Sequence, residues 1–136
     1  MQDDNMSLSV FVIDDSDVDS FLIEKVLRKT NLFDTITLYN DSKTAMDFIL
    51  DKGNKNDLPD LILLDVSMPI IDGFEFIDEI EEMMDDDFSP TIFILSNSIE
   101  RRDRENFDKQ RLATEFIVKP LEEEVFLEKV NKHLLS

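Results

Sequence analysis

The chain has no cysteine and a single histidine, His133, close to its end. Disulfides, thiolate metal sites and cysteine nucleophiles are thereby excluded, as are a histidine-based triad and a multi-histidine zinc site. Positive charge is scarce: 14 Lys and Arg stand against 32 Asp and Glu, a formal net charge of −18. So acidic a surface repels phosphate backbones and anionic lipid, so no direct nucleic-acid or membrane binding is expected. The acidic start, Met1-Gln2-Asp3-Asp4-Asn5, is followed by no apolar run that could act as a signal peptide or membrane span. A soluble, cytoplasmic protein is expected.

Of the 136 residues, 42% are hydrophobic, enough for one packed core and too few for two domains of ordinary size. The reading is a short tail over 1–8 and a single domain over 9–136, with strand and helix alternating. Ser9 to Ile13 is a short apolar run, as suits a strand covered on both faces. Ser16 can cap the helix after it, where Val18, Leu22 and Val26 recur at helical spacing with Phe21 alongside. Asp34 to Tyr39 is a more polar strand, expected at a sheet edge. Asp41 caps a helix carrying Ala45, Phe48 and Ile49 that ends near Gly53, and a polar stretch leads to Pro59. Leu61 to Leu64 is the most apolar strand and belongs at the sheet centre. Phe74, Ile77, Ile80 and Met84 form the buried stripe of a third helix, followed by a strand over Thr91 to Leu95. Glu100 to Gln110 reads as a weakly anchored fourth helix whose one large apolar residue is Phe107. Glu115 to Val118 is the fifth strand, and Leu121, Val125, Phe126, Val130 and Leu134 mark a fifth helix. On that helix His133 is expected at the surface.

Strands alternating with helices imply parallel strands joined by right-handed crossovers, with helices on both faces. Five such units fit an α/β, flavodoxin-like, doubly wound sheet of order 2-1-3-4-5 with five helices. Ligands of such sheets bind beyond the carboxyl ends of the strands where the order reverses, here between strands one and three. Strand one ends in Asp14-Asp15 and strand three in Asp65. Carboxylates converging in one cleft repel one another and are costly to desolvate. A hard divalent cation offsets that cost, and magnesium suits a few carboxylates with water and phosphate oxygens.

Asp65-Val66-Ser67-Met68-Pro69-Ile70-Ile71-Asp72-Gly73 resembles the phosphoacceptor turn of the receiver domains of two-component response regulators, an aspartate followed by Met-Pro and then Asp-Gly. Asp14-Asp15, Ser96 closing strand four, and Lys119-Pro120 closing strand five match in order and context. The resemblance, to the stand-alone, chemotaxis-receiver-like type, runs from about Ser9 to Leu135. It implies that Asp65 forms an aspartyl phosphate, with Asp15, Asp65 and the backbone carbonyl of Ser67 on magnesium (or manganese) and Asp14 acting through water. It further implies that Lys119 and Ser96 meet phosphoryl oxygens, that Ser96 and Phe116 form the switch, and that the Lys119-Pro120 bond is cis. The implied partners are a sensor histidine kinase or histidine phosphotransfer protein as donor, and a downstream protein bound through helix four, strand five and helix five. No output domain is expected within this chain, and no turnover of a metabolite.

Two other readings are open. Asp15-Ser16-Asp17 superficially matches the Asp-x-Asp nucleophile motif of haloacid-dehalogenase-like phosphatases, which leaves the Asp65 turn unexplained. A degenerate receiver acting as a scaffold is the other, against which the full acceptor set speaks.

Overall fold

The computed structural model describes residues 8–66, 73–83, 90–97, 105, 107–108 and 113–135. In chain order the elements are β1 (Leu8–Ile13), α1 (Asp17–Thr30), β2 (Phe33–Tyr39), α2 (Ser42–Leu50), a 3-10 helix (Lys52–Asp57), β3 (Leu61–Asp65), α3 (Gly73–Met83), β4 (Thr91–Ser96), β5 (Ala113–Val118) and α4 (Glu123–Leu134). The strands form one parallel sheet of order β2-β1-β3-β4-β5. This is the flavodoxin-like arrangement, with β3 at the centre and β2 at an edge. Four α-helices, not five, are defined among the described residues. The helix expected over Glu100 to Gln110 lies mostly outside them, although Glu105, Phe107 and Asp108 are helical. Met84 also lies outside. No helix among the described residues is long and apolar enough to cross a membrane.

The alternation of side chains along each strand divides the core in two. Phe11, Ile13, Ile62, Leu64, Ile92 and Ile94 face α2 and α3, where Ala45, Ile49, Phe76, Ile77 and Ile80 cover them. Val10, Val12, Leu61, Leu63, Phe93 and Leu95 face the other way, onto Ile23 and Leu27 of α1 and Phe126 and Val130 of α4. Every residue of β3 is buried, so its uninterrupted apolar run follows from having helices on both faces. Each buried Leu or Ile here contributes about 1.5–3 kcal/mol by leaving water.

Helix α1 corrects the expectation drawn from periodicity. Its inward face carries Ser20, Ile23 and Leu27, while Val18, Phe21 and Leu22 are 68%, 57% and 50% exposed. Both sets recur at helical spacing, so periodicity alone does not choose between them. The entry to the helix does. Ser16 Oγ accepts the Asp19 N–H at 3.2 Å, and Ser20 Oγ donates to the Asp14 carbonyl at 3.4 Å. These bonds fix the first turn with Ser20 against the end of β1, and Ile23 and Leu27 follow it onto the sheet. Only Val26 of the expected stripe packs against the core. In α4 the same choice leaves Val125 exposed and buries Phe126 and Val130.

Three smaller differences have local causes. Asp41 caps α2 by accepting the Thr44 N–H at 2.7 Å, but α2 stops at Leu50 and the polar stretch around Gly53 forms the 3-10 helix. Phe76, on the inward face of α3, is fully buried beside Ile77. His133 is not simply a surface residue: its Nε2 lies 2.7 Å from Glu115 Oε2 and its ring meets the buried Phe93 edge-on, with centroids 5.8 Å apart. A register shift places Phe93 of β4 opposite Glu115, so the carboxylate points toward α4, where Lys129 Nζ also bonds it at 2.8 Å.

Candidate functional site

Parallel pairing brings the ends of β1, β3, β4 and β5 to one edge of the sheet. Ile13 pairs with Leu64, so Asp14 and Asp65 are the next residues on adjacent strands. Asp65 pairs with Leu95, and Ser96 with Val118, which puts Lys119 one residue beyond. Backbone bonds hold these ends: Asp14 N–H to the Tyr39 carbonyl at 3.0 Å, Val66 N–H to Leu95 at 3.2 Å, and Lys119 N–H to Ser96 at 2.7 Å. The Lys119-Pro120 peptide bond is cis.

Asp14, Asp15 and Asp65 each offer a carboxylate oxygen, all within 4.8 Å of one another. Asp14 and Asp65 are buried and Asp15 is exposed. Lys119 reaches the same edge from the end of β5. Its Nζ donates to Asp14 Oδ2 at 2.6 Å and to Asp19 Oδ2 at 2.8 Å, and stands 3.7 Å from Asp65 Oδ1, an ion-pair distance beyond hydrogen-bond range. Burial works to lower the pKa of this ammonium. The bonds to Asp14 and Asp19, with the charges of Asp65 and Asp14, outweigh it and hold the pKa above the ordinary lysine value. Lys119 is thus a fixed positive charge.

One ammonium does not neutralise the carboxylates of Asp14, Asp15, Asp19 and Asp65. The surplus negative charge and the close oxygens suit a hard divalent cation. The three-carboxylate set fits one, and its members are not equivalent. Asp14 Oδ1 accepts the Ser16 N–H at 2.9 Å and Asp14 Oδ2 is on Lys119. Both Asp14 carboxylate oxygens are therefore engaged by protein groups. Ser67 lies outside the described residues.

Ser96 is buried at the end of β4. Phe116 is half-buried on β5 and meets Phe107 edge-on, with centroids 5.7 Å apart. Asp17 opens α1 and is exposed, so Asp15-Ser16-Asp17 belongs to a capped helix start. One residue at the site, Asp19, is not picked out by the sequence motifs; its signal is its place three after the cap Ser16, which aims it back at the strand ends. Gly73, the last residue of the Asp65 motif, has a steric role there, because an added Cβ would collide with the backbone of Asp65 and Val66. Beside the cleft, α1 presents Val18, Phe21 and Leu22 to solvent, with Lys25 Nζ 5.1 Å from the centre of the Phe21 ring.

Residues 10–131 match the family described as the response regulator receiver domain. Among curated proteins, the chain is 31% identical over 127 residues to hybrid signal transduction histidine kinase I of Dictyostelium discoideum, covering 92% of this chain and 7% of that protein. It is 32% identical over 78 residues to response regulator Rcp1 of Synechocystis sp., covering 56% of this chain and 53% of that one. The chain therefore spans only a part of the curated relatives it matches. A solved structure of a two-component response regulator from Cytophaga hutchinsonii superposes with a TM-score of 0.84 at 25% identity, over 96% of this chain and 99% of that one. The Mn(2+)-bound form of Rcp1 superposes with a TM-score of 0.73 at 24% identity, over 95% of each chain.

Proposed function

This chain belongs to the response regulator receiver domain family, and on that footing we propose that it is a phosphoacceptor signalling module of a two-component phosphorelay, modified on Asp65. The observation that carries the reading is the buried Asp65 carboxylate beside Asp14 and Asp15, with the Lys119 ammonium at ion-pair distance. A carboxylate oxygen of Asp65 attacks the phosphorus of a phosphohistidine. The new P–O bond forms as the P–N bond breaks, and the imidazole leaves and takes a proton.

The remaining residues act on the charge of the transferring group. Lys119 pairs with one phosphoryl oxygen and the Ser96 hydroxyl donates to another. Asp15 and Asp65, with the Ser67 backbone carbonyl and Asp14 through water, would hold magnesium or manganese, which neutralises charge on the phosphoryl oxygens. A receiver fold with manganese bound, as in Rcp1, supports that choice of ion. On this reading the chain acts in the cytoplasm, with its receiver domain over 9–136.

The donor is a histidine kinase or phosphotransfer protein, and the exposed apolar face of α1 beside the cleft suits a protein donor better than a small metabolite. Output runs through Ser96 and Phe116. Movement of Ser96 toward the phosphoryl group frees space for Phe116, and the Phe107 contact passes that shift to the segment around 105–108. The surface offered to a downstream protein comprises that segment, β5 and α4. Release of the phosphoryl group to water returns the chain to its starting state, and no metabolite is turned over.

Intact mass after incubation with acetyl phosphate and magnesium tests the assignment. One phosphoryl group per chain is expected, dependent on magnesium or manganese and absent in Asp65→Asn. Retention of wild-type labelling in Asp65→Asn removes Asp65 as acceptor. Steady turnover of a generic phosphomonoester favours the phosphatase reading instead.

A further inference from the structure

Asp19 is a fourth carboxylate at the cleft, outside the three that form the candidate cation site. It stands in the first turn of α1, where its N–H is capped by Ser16 Oγ. There the helix dipole favours a negative side chain. Its Oδ2 lies 2.8 Å from Lys119 Nζ, closer than Asp65 Oδ1 at 3.7 Å. Two of the three ammonium N–H groups are thus directed at Asp14 and Asp19. An aspartate side chain is short and α1 is tied down at both Ser16 and Ser20. Asp19 therefore cannot follow Lys119 if the ammonium swings toward a group on Asp65.

We propose that Asp19 is a positioning residue for the phosphoryl-transfer site: it holds the Lys119 ammonium on the α1 side of the cleft and competes with a phosphoryl oxygen on Asp65 for it. The proposal rests on the phosphoacceptor reading and adds a regulator to the same site. Asp14 is buried and bonds both Lys119 and Ser16 N–H, so it holds Lys119 in either state. Asp19 has a side chain 28% exposed, so water can take over its oxygen when the ammonium leaves. Of the two partners it is the one that gives up the bond at lower cost. Asp19 therefore sets how readily the modified state forms, without touching the phosphoryl group.

The test compares Asp19→Asn, Asp19→Glu and Asp17→Asn, each alone and, for Asp19→Asn, combined with Lys119→Ala. Asp17 is exposed in the same turn and removes the same charge. The first readout is the Lys119 Nζ nitrogen signal in metal-free protein with no phosphoryl donor. It should move in Asp19→Asn, return toward wild type in Asp19→Glu, and stay in place in Asp17→Asn. The second is affinity for beryllofluoride with magnesium, followed by amide shifts. Loss of one charged competitor should tighten it about tenfold in Asp19→Asn, and Asp17→Asn should change it far less. In the Lys119→Ala background the effect of Asp19→Asn should vanish, because no ammonium remains to be held. Equal effects of Asp19→Asn and Asp17→Asn, an effect that survives in Lys119→Ala, or weaker beryllofluoride binding in Asp19→Asn would each overturn the proposal. If wild type binds no beryllofluoride and gains no mass from acetyl phosphate, the phosphoacceptor reading fails, and the Lys119 signal still decides whether Asp19 holds the ammonium.

Discussion

Val66, just after β3, and Gly73, the first residue of α3, approach so closely that no side chain fits between them. A methyl group built on Gly73 would lie 2.8 Å from Val66 Cα and 2.9 Å from both the Asp65 carbonyl oxygen and Val66 Cγ1. Two of these atoms are backbone and cannot rotate away. The first turn of α3 is thereby seated directly on the residue proposed to carry the phosphoryl group.

Gly73→Ala is accordingly expected to push α3 from the end of β3, costing about 1–3 kcal/mol, as overpacking does. Urea unfolding reads the loss, and a magnesium titration followed by amide shifts reads the displacement of Asp65. Wild-type stability together with wild-type metal affinity would show that the contact relaxes freely.

Lys119→Ala separates modification from response. The acceptor and the cation-binding carboxylates remain, so slow labelling by acetyl phosphate with magnesium persists. The amide shifts that follow modification in wild type are lost, because the phosphoryl charge has no cationic partner. In the metal-free variant the buried carboxylates of Asp14 and Asp65 lose their ammonium, and stability falls by about 1–3 kcal/mol. Added magnesium recovers part of it by binding only the folded state. Wild-type amide responses in this variant would place Lys119 outside the site.

Phe21 is 57% exposed, so Phe21→Ala should change stability by no more than about 0.5 kcal/mol. Transfer from a phosphorylated histidine protein should slow severalfold, while labelling by acetyl phosphate stays at the wild-type rate. Equal slowing with both donors would place the effect in the cleft and not on the docking face.

The Glu115 cluster makes a pH-dependent contribution. Burial works to raise the Glu115 pKa, but hydrogen bonds from Lys129 and His133 prevail and hold it below its ordinary 4.5. A carboxylate depressed in the folded state contributes stability that is complete above the unfolded value and is lost as pH falls through the folded one. Glu115→Gln should therefore cost about 1–2 kcal/mol at pH 7, and the gap to wild type should narrow as pH falls below the ordinary 4.5 and through the lowered folded value. Urea midpoints at pH 7 and pH 3 measure it. A gap of the same size at both would assign the loss to packing.

The strand ends were legible without coordinates for a simple reason. A strand buried on both faces is an apolar run, and the run over Leu61 to Leu64 stops where a carboxylate begins. The same holds for Val10 to Ile13 before Asp14, so parallel alternation was enough to bring Asp14, Asp15, Asp65 and Lys119 to one edge. The inward face of α1 was not legible, because Val18-Leu22-Val26 and Ile23-Leu27 both satisfy helical spacing. The Ser16 and Ser20 bonds to the end of β1 made the choice.

Local chemistry written in the sequence thus determined the elements, their order and the residues at the strand ends, since propensity, capping and burial period act over a few neighbouring positions. Tertiary structure alone decided what meets across the chain. Asp19 reaches Lys119 over a separation of 100 residues, His133 reaches Glu115 over 18, and Gly73 is pressed on Val66. No periodicity encodes such pairs, because they depend on how far each helix turns about its own axis as it settles on the sheet.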